Sequence, residues 1–350
     1  MRTFTLLSPL IAAASAYEQW VNEPDTGLQT FLSASNWTEG SKPDLKDIRG
    51  VPDFDFAARQ VMTDQQYAFY RTAAAGEWAY RHNLEVWEKA RLRPHQLASV
   101  VGLNETLGVS IFGHNFSAPI FISPAARGAY GDPDRAELNF VDAAAEEDIL
   151  YVIYSNANLS VTWDAMKRAE AQGVKAIVWT IDAPATSTRH RAARYDTTNA
   201  NGVTSALSWE LFDEIKSHTK LPIILKGITT TEDALKAVEK GADGIWLSNH
   251  GGRQVDYSPS PLEIAYELRR NAPEVFEKTE SSLTAAVGLG RPFMYSNIYG
   301  VEGPKKLIQI LKTEILADAA QIGINDLHNI PSKVLNTRAL ERDVYLINEN

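Results

Sequence analysis

A histidine and an arginine lie together in the glycine-rich stretch SNHGGRQ at residues 248–254. His250 directly follows an apolar run that is typical of a buried strand, and Gly251 and Gly252 would let a ligand approach the backbone closely. Arg253 carries a planar guanidinium that suits a carboxylate. These residue types indicate a base that removes a proton from an anionic substrate. A hydrogen-bonded structural role is the alternative for a lone histidine at a strand end.

An acidic residue ends a second strand-like run at the equivalent position. The segments QGVKAIVWTID (172–182) and KGADGIWLSNH (240–250) align without gaps, which puts Asp182 over His250. A carboxylate beside a histidine raises its basicity and fixes its tautomer, so the alignment predicts an Asp182–His250 pair that acts as a general base. Arg189 follows the first run closely, and we expect it to face the same space.

These side chains require strands that carry polar residues at their carboxyl ends. Apolar runs predict six strands that alternate with helices such as 160–172 and 230–240, and this alternation is typical of parallel strands with crossover helices. A (β/α) barrel builds its site at those strand ends, and an open doubly wound sheet does so as well. The chain lacks a glycine-rich phosphate fingerprint after its first strand, which favours the barrel. The strand runs begin at 119, 149, 176, 222, 244 and 285.

Composition excludes several classes of protein. The net charge is −10 over 350 residues and the chain has no basic run, which argues against a nucleic-acid binder. It has no cysteine, which excludes disulfides, thiolate catalysis and cysteine metal sites. We predict no metal and no membrane span.

The N-terminus has the layout of a secretory signal peptide. Arg2 precedes the apolar stretch 4–13, and Ala14-Ser15-Ala16 follows as a small-residue cleavage site. We therefore predict a secreted protein with a signal peptide at 1–16, an extended N-terminal arm at 17–60 and one barrel domain at 61–340. Four sequons agree with export and predict glycosylation at Asn36, Asn104, Asn115 and Asn158.

The stretch 248–254 resembles the active-site signature of a known family. These are the 2-hydroxy acid oxidases and dehydrogenases that depend on flavin mononucleotide (FMN), among them glycolate oxidase, lactate oxidase and flavocytochrome lactate dehydrogenase. The resemblance covers most of residues 50–335 and implies a (β/α)8 barrel with FMN as cofactor. Similar family blocks, in the family's order, are PIFISPAA (119–126), TIDAP (180–184), LPIILKG (221–227) and GRPF (290–293).

The resemblance implies a role for each matching residue. His250 would be the catalytic base with Asp182 as its partner, and Arg253 and Arg189 would bind the substrate carboxylate. Tyr70 and Tyr154 match two tyrosines whose hydroxyls touch the substrate, and core packing is their structural alternative. Other residues match family positions that contact the flavin. Lys226 matches the lysine beside N1 and O2 of the ring, Ser248 and Thr180 match contacts to the ring, and Ala125 and Ala126 match a backbone contact near it. Gly290 and Arg291 match part of the phosphate site.

Two family blocks are missing from this chain. An Asp-Gly-Gly-x-Arg phosphate-binding strand and its helix should follow residue 280, and the single run 149–154 replaces two strands and a helix. We therefore predict an incomplete barrel of about six strands, with unpaired edges and a weakened phosphate site. An imperfect gene model is another explanation of such gaps.

Three functions fit this sequence. The first is oxidation of a small 2-hydroxy acid to the 2-oxo acid, with the electrons passed to oxygen or another acceptor. Oxygen is favoured because the arm before residue 60 is too short for a fused haem domain. The second is a degenerate, flavin-free family member that acts as a binding or scaffold protein. The third is a flavin-free lyase or isomerase that uses His250 as its base. The resemblance also implies a homotetramer.

Overall fold

The computed structural model describes residues 25–152, 159–171, 173–195, 207–279 and 286–347. The predicted signal peptide at 1–16, the catalytic candidate Tyr154 and the sequon residue Asn158 lie outside these ranges. Within them, no helix combines the length and the apolar character that crossing a membrane requires.

Six parallel strands form the centre of the described structure, and all six predicted strands are present. They form two sheets, with the strand orders β5-β4-β9 and β6-β7-β8, while β1–β10 and β2–β3 are short antiparallel pairs. The strands are β1 (Arg91–Leu92), β2 (Val109–Ile111), β3 (His114–Phe116), β4 (Ile120–Ile122), β5 (Leu150–Tyr151), β6 (Ile177–Thr180), β7 (Ile223–Ile228), β8 (Gly244–Leu247), β9 (Val287–Leu289) and β10 (Leu335–Asn336).

Helices follow most of the parallel strands, as crossover connections require. The predicted helices at 160–172 and 230–240 are α6 and α9, each within one residue or two of the predicted bounds. The helices are α1 (Leu28–Ser33), α2 (Val51–Val61), α3 (Asp64–Arg71), α4 (Trp78–Glu85), α5 (Leu138–Glu147), α6 (Leu159–Ala171), α7 (His190–Ala193), α8 (Trp209–Ser217), α9 (Thr231–Glu239), α10 (Pro261–Asn271), α11 (Val275–Lys278), α12 (Arg291–Ser296) and α13 (Glu302–Gln321).

Alternating side chains of the strands build an interior between the two sheets. Phe121 of β4, Ile224 of β7 and Trp246 of β8 belong to one buried cluster, whereas their strand neighbours pack outward against helices. The rings of Phe121 and Trp246 meet edge to face at 4.7 Å between centroids. These large side chains therefore join the two sheets across the barrel interior.

In the part of the chain that the structure describes, the barrel is open at the two places where family blocks are missing. Among the described residues, no hydrogen-bonded ladder joins β5 to β6 or β8 to β9. We call the gap between the edges of β8 and β9 the β8–β9 seam. The prediction of six readable parallel strands is confirmed within the described ranges.

The N-terminal arm differs from its prediction. The described part, from residue 25 to 60, contains the helix α1 and most of α2 rather than an extended chain. Phe54, Ala57 and Ala58 are fully buried in the same hydrophobic cluster as Phe140 and Phe293. Their spacing forms one apolar helical stripe, and burial of that stripe against α12 stabilises the helix despite the polar composition of the segment.

Candidate active site

The carboxyl ends of the parallel strands converge on one large cavity, as a barrel predicts. Thr180 at the end of β6 pairs in register with Lys226 of β7, and Ser248 follows β8. The cavity has a volume of about 900 Å³. Its walls include most of the candidate site residues, namely Tyr70, Ala125, Ala126, Arg189, Lys226, Ser248, His250, Arg253, Gly290 and Arg291.

The predicted histidine–aspartate pair is formed, and a lysine joins it. Nδ1 of His250 lies 2.7 Å from Oδ1 of Asp182, and Nζ of Lys226 lies 3.2 Å from Oδ2 of the same carboxylate. The side chains of Asp182 and Lys226 are buried, with exposed fractions of 9% and 8%. Asp182 therefore bridges the imidazole of His250 and the cation of Lys226, both of which line the cavity.

The backbone around His250 explains the glycines that follow it. His250, Gly251 and Gly252 have φ angles of 57°, 63° and 72°, which favour glycine. A Cβ atom on Gly252 would lie 2.7 Å from the backbone nitrogen of Tyr80, so α4 can approach only a glycine here. Asn249 closes the turn, since its Oδ1 accepts a hydrogen bond from the Gly252 amide at 3.1 Å. The GG pair thus fixes the imidazole at the strand end.

A third glycine places the carboxylate and was not singled out in the sequence. Gly227 on β7 has a φ of 116°, and a Cβ atom there would lie 2.5 Å from Cβ of Asp182. Only a residue without a side chain lets the segment after β6 come this close to β7. The block LPIILKG contained the signal, because a glycine inside a strand pattern often marks close backbone approach.

The surroundings of His250 keep its imidazole neutral. Burial and the charge of Lys226 lower the pKa of His250 to about 4, although the carboxylate of Asp182 acts in the opposite direction. Burial alone would raise the pKa of Asp182, but His250 and Lys226 outweigh it and hold that pKa below its usual value. At neutral pH the Nδ1 proton is therefore donated to Asp182, and Nε2 is the atom that can accept a proton.

Arg253 lines the cavity, and its guanidinium has a strongly lowered pKa. Its Nη1 donates to the backbone oxygens of Tyr70 and Thr72 at 3.0 and 2.8 Å. Burial, followed by the neighbouring charges of Arg189 and Arg291, lowers the pKa of Arg253 well below its ordinary value. A bound carboxylate would offset the unfavourable free energy of holding the charged Arg253 guanidinium in this environment, so the position favours an anionic ligand.

Arg189 reaches the cavity from the segment after β6. Its Nε donates to the backbone oxygen of Arg253 at 3.0 Å, and its Nη2 donates to Oε1 of Gln254 at 3.0 Å. The structure therefore brings together both arginines that were predicted to bind the substrate carboxylate.

A buried glutamate that sequence reasoning missed holds this segment in place. Oε2 of Glu77 lies 3.2 Å from Nε of Arg191 on α7, and Oε1 accepts a hydrogen bond from the Ala73 amide at 3.1 Å. Glu77 has only 3% of its surface exposed. No local pattern marks it, because its partner on α7 lies more than one hundred residues away in the chain.

Tyr70 lies at the cavity but its hydroxyl already has a partner. The hydroxyl donates a hydrogen bond to the backbone oxygen of Arg127, and burial raises the pKa of this phenol. The backbone oxygen of Tyr70 in turn accepts from Arg253 and Arg291. Tyr70 therefore positions cations in this structure, and contact of its hydroxyl with substrate stays a prediction, as does the role of Tyr154.

The predicted flavin-contacting residues divide into two groups. Lys226, Ser248, Ala125 and Ala126 line the cavity together, as a ring subsite requires. Thr180 is placed beside Lys226 but is not among the cavity-lining residues.

Arg291, which was predicted to contact the phosphate, donates hydrogen bonds to backbone oxygens of the protein. It donates from Nε to the Tyr70 backbone oxygen at 2.8 Å and from Nη1 to the Gly251 oxygen at 3.2 Å. Its guanidinium also lies over the ring of Tyr80, 4.6 Å from the centroid. The residues present thus fit the flavin ring, and Arg291 also holds the loops around the cavity, so its place at the phosphate stays a prediction.

The described strands form a barrel-type fold whose cavity is lined by a neutral histidine, His250, and by the cations Arg189 and Arg253. The family described as FMN-dependent dehydrogenase matches residues 58–163, 196–277 and 284–337. The chain therefore belongs to this family, whose cofactor is FMN. Asp182 and Arg189 lie outside the matched segments, so their assignment rests on the contacts described above. The break after residue 277 falls at the β8–β9 seam.

Individual relatives agree with this assignment. The chain is 30% identical to the L-lactate dehydrogenase (cytochrome) of Wickerhamomyces anomalus, over 85% of this chain and 63% of the relative. It is 29% identical to a peroxisomal (S)-2-hydroxyacid oxidase of Arabidopsis thaliana, over 84% of this chain and 98% of the relative. The alignment to the first relative thus covers less than two thirds of that protein's length.

Solved structures confirm the (β/α)8 barrel fold. A flavocytochrome b2 variant with benzoylformate superposes with a TM-score of 0.79 at 27% identity, and covers 92% of both chains. Mandelate oxidase superposes with a TM-score of 0.73 at 25% identity, over 83% of this chain and 98% of the other. The resemblance predicted from the residues 248–254 and the fold class are both confirmed.

Proposed function

We propose that this chain oxidises a small 2-hydroxy acid to the corresponding 2-oxo acid with FMN as cofactor. The observation that carries the proposal is the contact of His250 with Asp182 at 2.7 Å, in a cavity that also contains Arg253 and Arg189. Acid–base chemistry at pH 7 requires a base that is unprotonated and held in one tautomer, and this pair provides both.

The residues of the cavity have separate tasks in this reaction. Arg253 and Arg189 would bind and orient the substrate carboxylate. Nε2 of His250 would accept a proton from the substrate, and Asp182 would stabilise the resulting imidazolium through Nδ1. FMN, when bound, would accept the two electrons that leave the α-carbon together with the second hydrogen of the substrate. The product carries a carbonyl where the substrate carried a hydroxyl.

Several residues would hold the flavin ring. Ala125 and Ala126 offer small apolar surfaces, and Ser248 offers a hydroxyl at the end of β8. Lys226 is fixed by Asp182 and would place its charge near the polar edge of the ring, where it favours electron uptake. The cavity volume of about 900 Å³ is at the upper end for small-molecule sites and leaves room for cofactor and substrate together.

The electron acceptor and the location of the protein are further parts of the proposal. We propose oxygen as the acceptor, a homotetrameric assembly and export through the secretory pathway. Asn36, Asn104 and Asn115 are exposed, which glycosylation requires. A mass decrease after endoglycosidase treatment of protein from a eukaryotic host would support export, and an unchanged mass would contradict it.

A flavin-free binding protein is the second candidate. The engagement of Arg291 by backbone oxygens and the missing phosphate block both favour it, because a cofactor that lacks its phosphate anchor binds weakly. This candidate predicts a folded protein that does not quench FMN fluorescence at any concentration.

One experiment separates the two candidates. FMN is titrated into the purified protein while its fluorescence is followed, and a 2-hydroxy acid such as lactate or glycolate is then added without oxygen. The enzyme predicts saturable quenching and bleaching of the flavin band. His250→Asn should retain FMN and lose the bleaching, while His328→Asn at an exposed position serves as the control. No FMN binding by the wild type would reject the enzyme, and bleaching by His250→Asn would reject the proposed base.

A further inference from the structure

A reciprocal amide contact joins the helix α4 to the turn that carries His250. Nδ2 of Asn83 donates a hydrogen bond to Oδ1 of Asn249 at 2.9 Å, and Nδ2 of Asn249 donates one back to Oδ1 of Asn83 at 2.8 Å. Asn249 directly precedes His250 and has only 4% of its surface exposed. Asn83 is half-buried near the end of α4 and lines the cavity. The base is therefore one residue away from a contact with a helix of the N-terminal part of the chain.

The amide of Asn249 uses its full hydrogen-bonding capacity. Besides the two contacts with Asn83, its Oδ1 accepts from the Gly252 amide at 3.1 Å and its Nδ2 donates to the Pro259 oxygen at 3.0 Å. An asparagine side chain offers two N–H donors and one oxygen with two lone pairs, so all four are occupied. The two backbone contacts fix the orientation of this amide, because the reversed orientation would set oxygen against the Pro259 oxygen. Asn83 supplies the other two partners.

The turn after Asn249 depends on such support because of its backbone conformation. His250, Gly251 and Gly252 are all left-handed, and of these three only His250 carries a Cβ atom. A residue with a side chain keeps this conformation where its surroundings hold it there. The same backbone directs the imidazole, whose Nδ1 lies 2.7 Å from Oδ1 of Asp182. A shift of the turn would therefore move the base away from its carboxylate.

Helix α4 is also bound to the segment that follows the turn. Oδ2 of Asp256 accepts a hydrogen bond from the Gly76 amide at 3.0 Å, and Oδ1 accepts one from the Ala79 amide at 2.8 Å. Ala79 and Asn83 are four positions apart, so they lie on the same face of α4. The helix thus holds the chain before His250 through Asn83 and the chain after it through Ala79.

We propose that Asn83 is a positioning residue, which holds the imidazole of His250 in its working orientation through the amide of Asn249. The inference rests on the proposed function, because it gives Asn83 a part in that reaction. Loss of Asn83 should leave Arg253 in place, since the guanidinium of Arg253 is held by the backbone oxygens of Tyr70 and Thr72. The loss should therefore lower kcat and change KM little.

The test is a double-mutant cycle in the FMN-loaded protein. kcat and KM are measured for Asn83→Ala, for Asn249→Ala and for the double variant. We expect Asn83→Ala to lower kcat about 10-fold to 100-fold, because a reacting group that is misplaced by about 1 Å can lose about 10²-fold in rate. The double variant should be little slower than Asn249→Ala alone, because Asn83 acts through that amide.

A matched control is available at the other end of α10. The Asn271 side chain also donates once and accepts once, to the Tyr345 oxygen at 2.9 Å and from the Ile347 amide at 3.2 Å. Asn271→Ala should therefore lose a comparable pair of hydrogen bonds and keep its kcat. Independent, multiplying losses of kcat in Asn83→Ala and Asn249→Ala would overturn the inference, because Asn83 would then act on substrate or flavin directly. A raised KM with kcat unchanged would overturn it as well.

A measurement on the imidazole separates this inference from the proposed function. NMR follows the titration of His250, whose signal is assigned from the spectrum of His250→Asn. Burial and the charge of Lys226 hold the pKa of His250 at about 4, and we expect this pKa to rise in Asn83→Ala, because a loosened turn lets water reach the ring. If the wild type oxidises no 2-hydroxy acid but the pKa rises in the variant, only the proposed function fails. If the wild type is inactive and the pKa is unchanged, both fail; if it is active and Asn83→Ala keeps the wild-type kcat, only the inference fails.

Discussion

Replacing Asp182 by asparagine should separate catalysis from binding. The carboxylate contacts both Nδ1 of His250 and Nζ of Lys226, and the charge of Asp182 raises the pKa of the histidine against burial and Lys226. Without it, the pKa of His250 falls below about 4 and the base weakens. An asparagine amide can also donate to Nδ1, which would move the imidazole proton to Nε2 and leave that atom unable to accept another.

The size of the effect follows from the role of a general base. A positioned base contributes about 10²- to 10⁴-fold, so kcat of Asp182→Asn should fall by that factor, which is about 3–5 kcal/mol of activation free energy. KM should change little, because the guanidinium of Arg253 is held by Tyr70 and Thr72 and not by Asp182. Substrate binding and proton transfer therefore rest on different contacts.

The assay is steady-state oxidation of a 2-hydroxy acid with an artificial electron acceptor, normalised to bound FMN. Asp213→Asn is the control, because it makes the same change in a solvent-exposed ion pair with Lys240. A variant Asp182→Asn that keeps its FMN and more than half of the wild-type kcat would refute the reasoning. A large rise in KM with kcat unchanged would instead assign Asp182 to substrate binding.

Two further predictions concern stability. Because the folded state holds the pKa of His250 at about 4, the unfolded chain takes up a proton between pH 6.5 and 4 that the folded chain does not. The free energy of unfolding should therefore fall on acidification, by about 1.4 kcal/mol per pH unit and about 3 kcal/mol in total. Urea titrations should show a smaller fall for His250→Asn than for the wild type. An equal fall in both proteins would contradict the low pKa of His250. Gly227→Ala should lower the free energy of unfolding by more than about 1 kcal/mol and also reduce kcat, because its new Cβ would meet Asp182. Gly173 has a φ of 82° and open space around it, so Gly173→Ala should lose only the free energy of placing alanine in a left-handed backbone conformation. Equal losses of stability and activity in both variants would exclude a clash between the new Cβ of residue 227 and Asp182.

Local patterns in the sequence were sufficient for the elements and for the type of chemistry. Strand periodicity and the glycines that end helices located six strands and the helices α6 and α9. The stretch SNHGGRQ predicted a base and a carboxylate-binding arginine, because the residue types themselves limit the chemistry. The missing blocks also indicated the two places, β5–β6 and β8–β9, where the described strands form no ladder.

The N-terminal arm shows where such patterns fail. Residues 17–60 are rich in polar residues and proline, which predicted an extended chain. Helix α2 forms because Phe54 and Ala58 bury one stripe against α12, and that partner lies more than two hundred residues later. Tertiary burial outweighed local composition here.

The sequence by itself determined which groups are available, and the tertiary structure decided which of them are already bound. Asp182 and His250 are 68 positions apart and could be paired in advance, because both end equivalent strands. Arg291, in contrast, binds the Tyr70 oxygen 221 positions away, a contact that its motif does not predict, and its role at the phosphate stays a prediction. Strand and helix periods are local properties of the chain, whereas the partner of a long cationic side chain depends on which distant backbone oxygens the fold brings within about 3 Å.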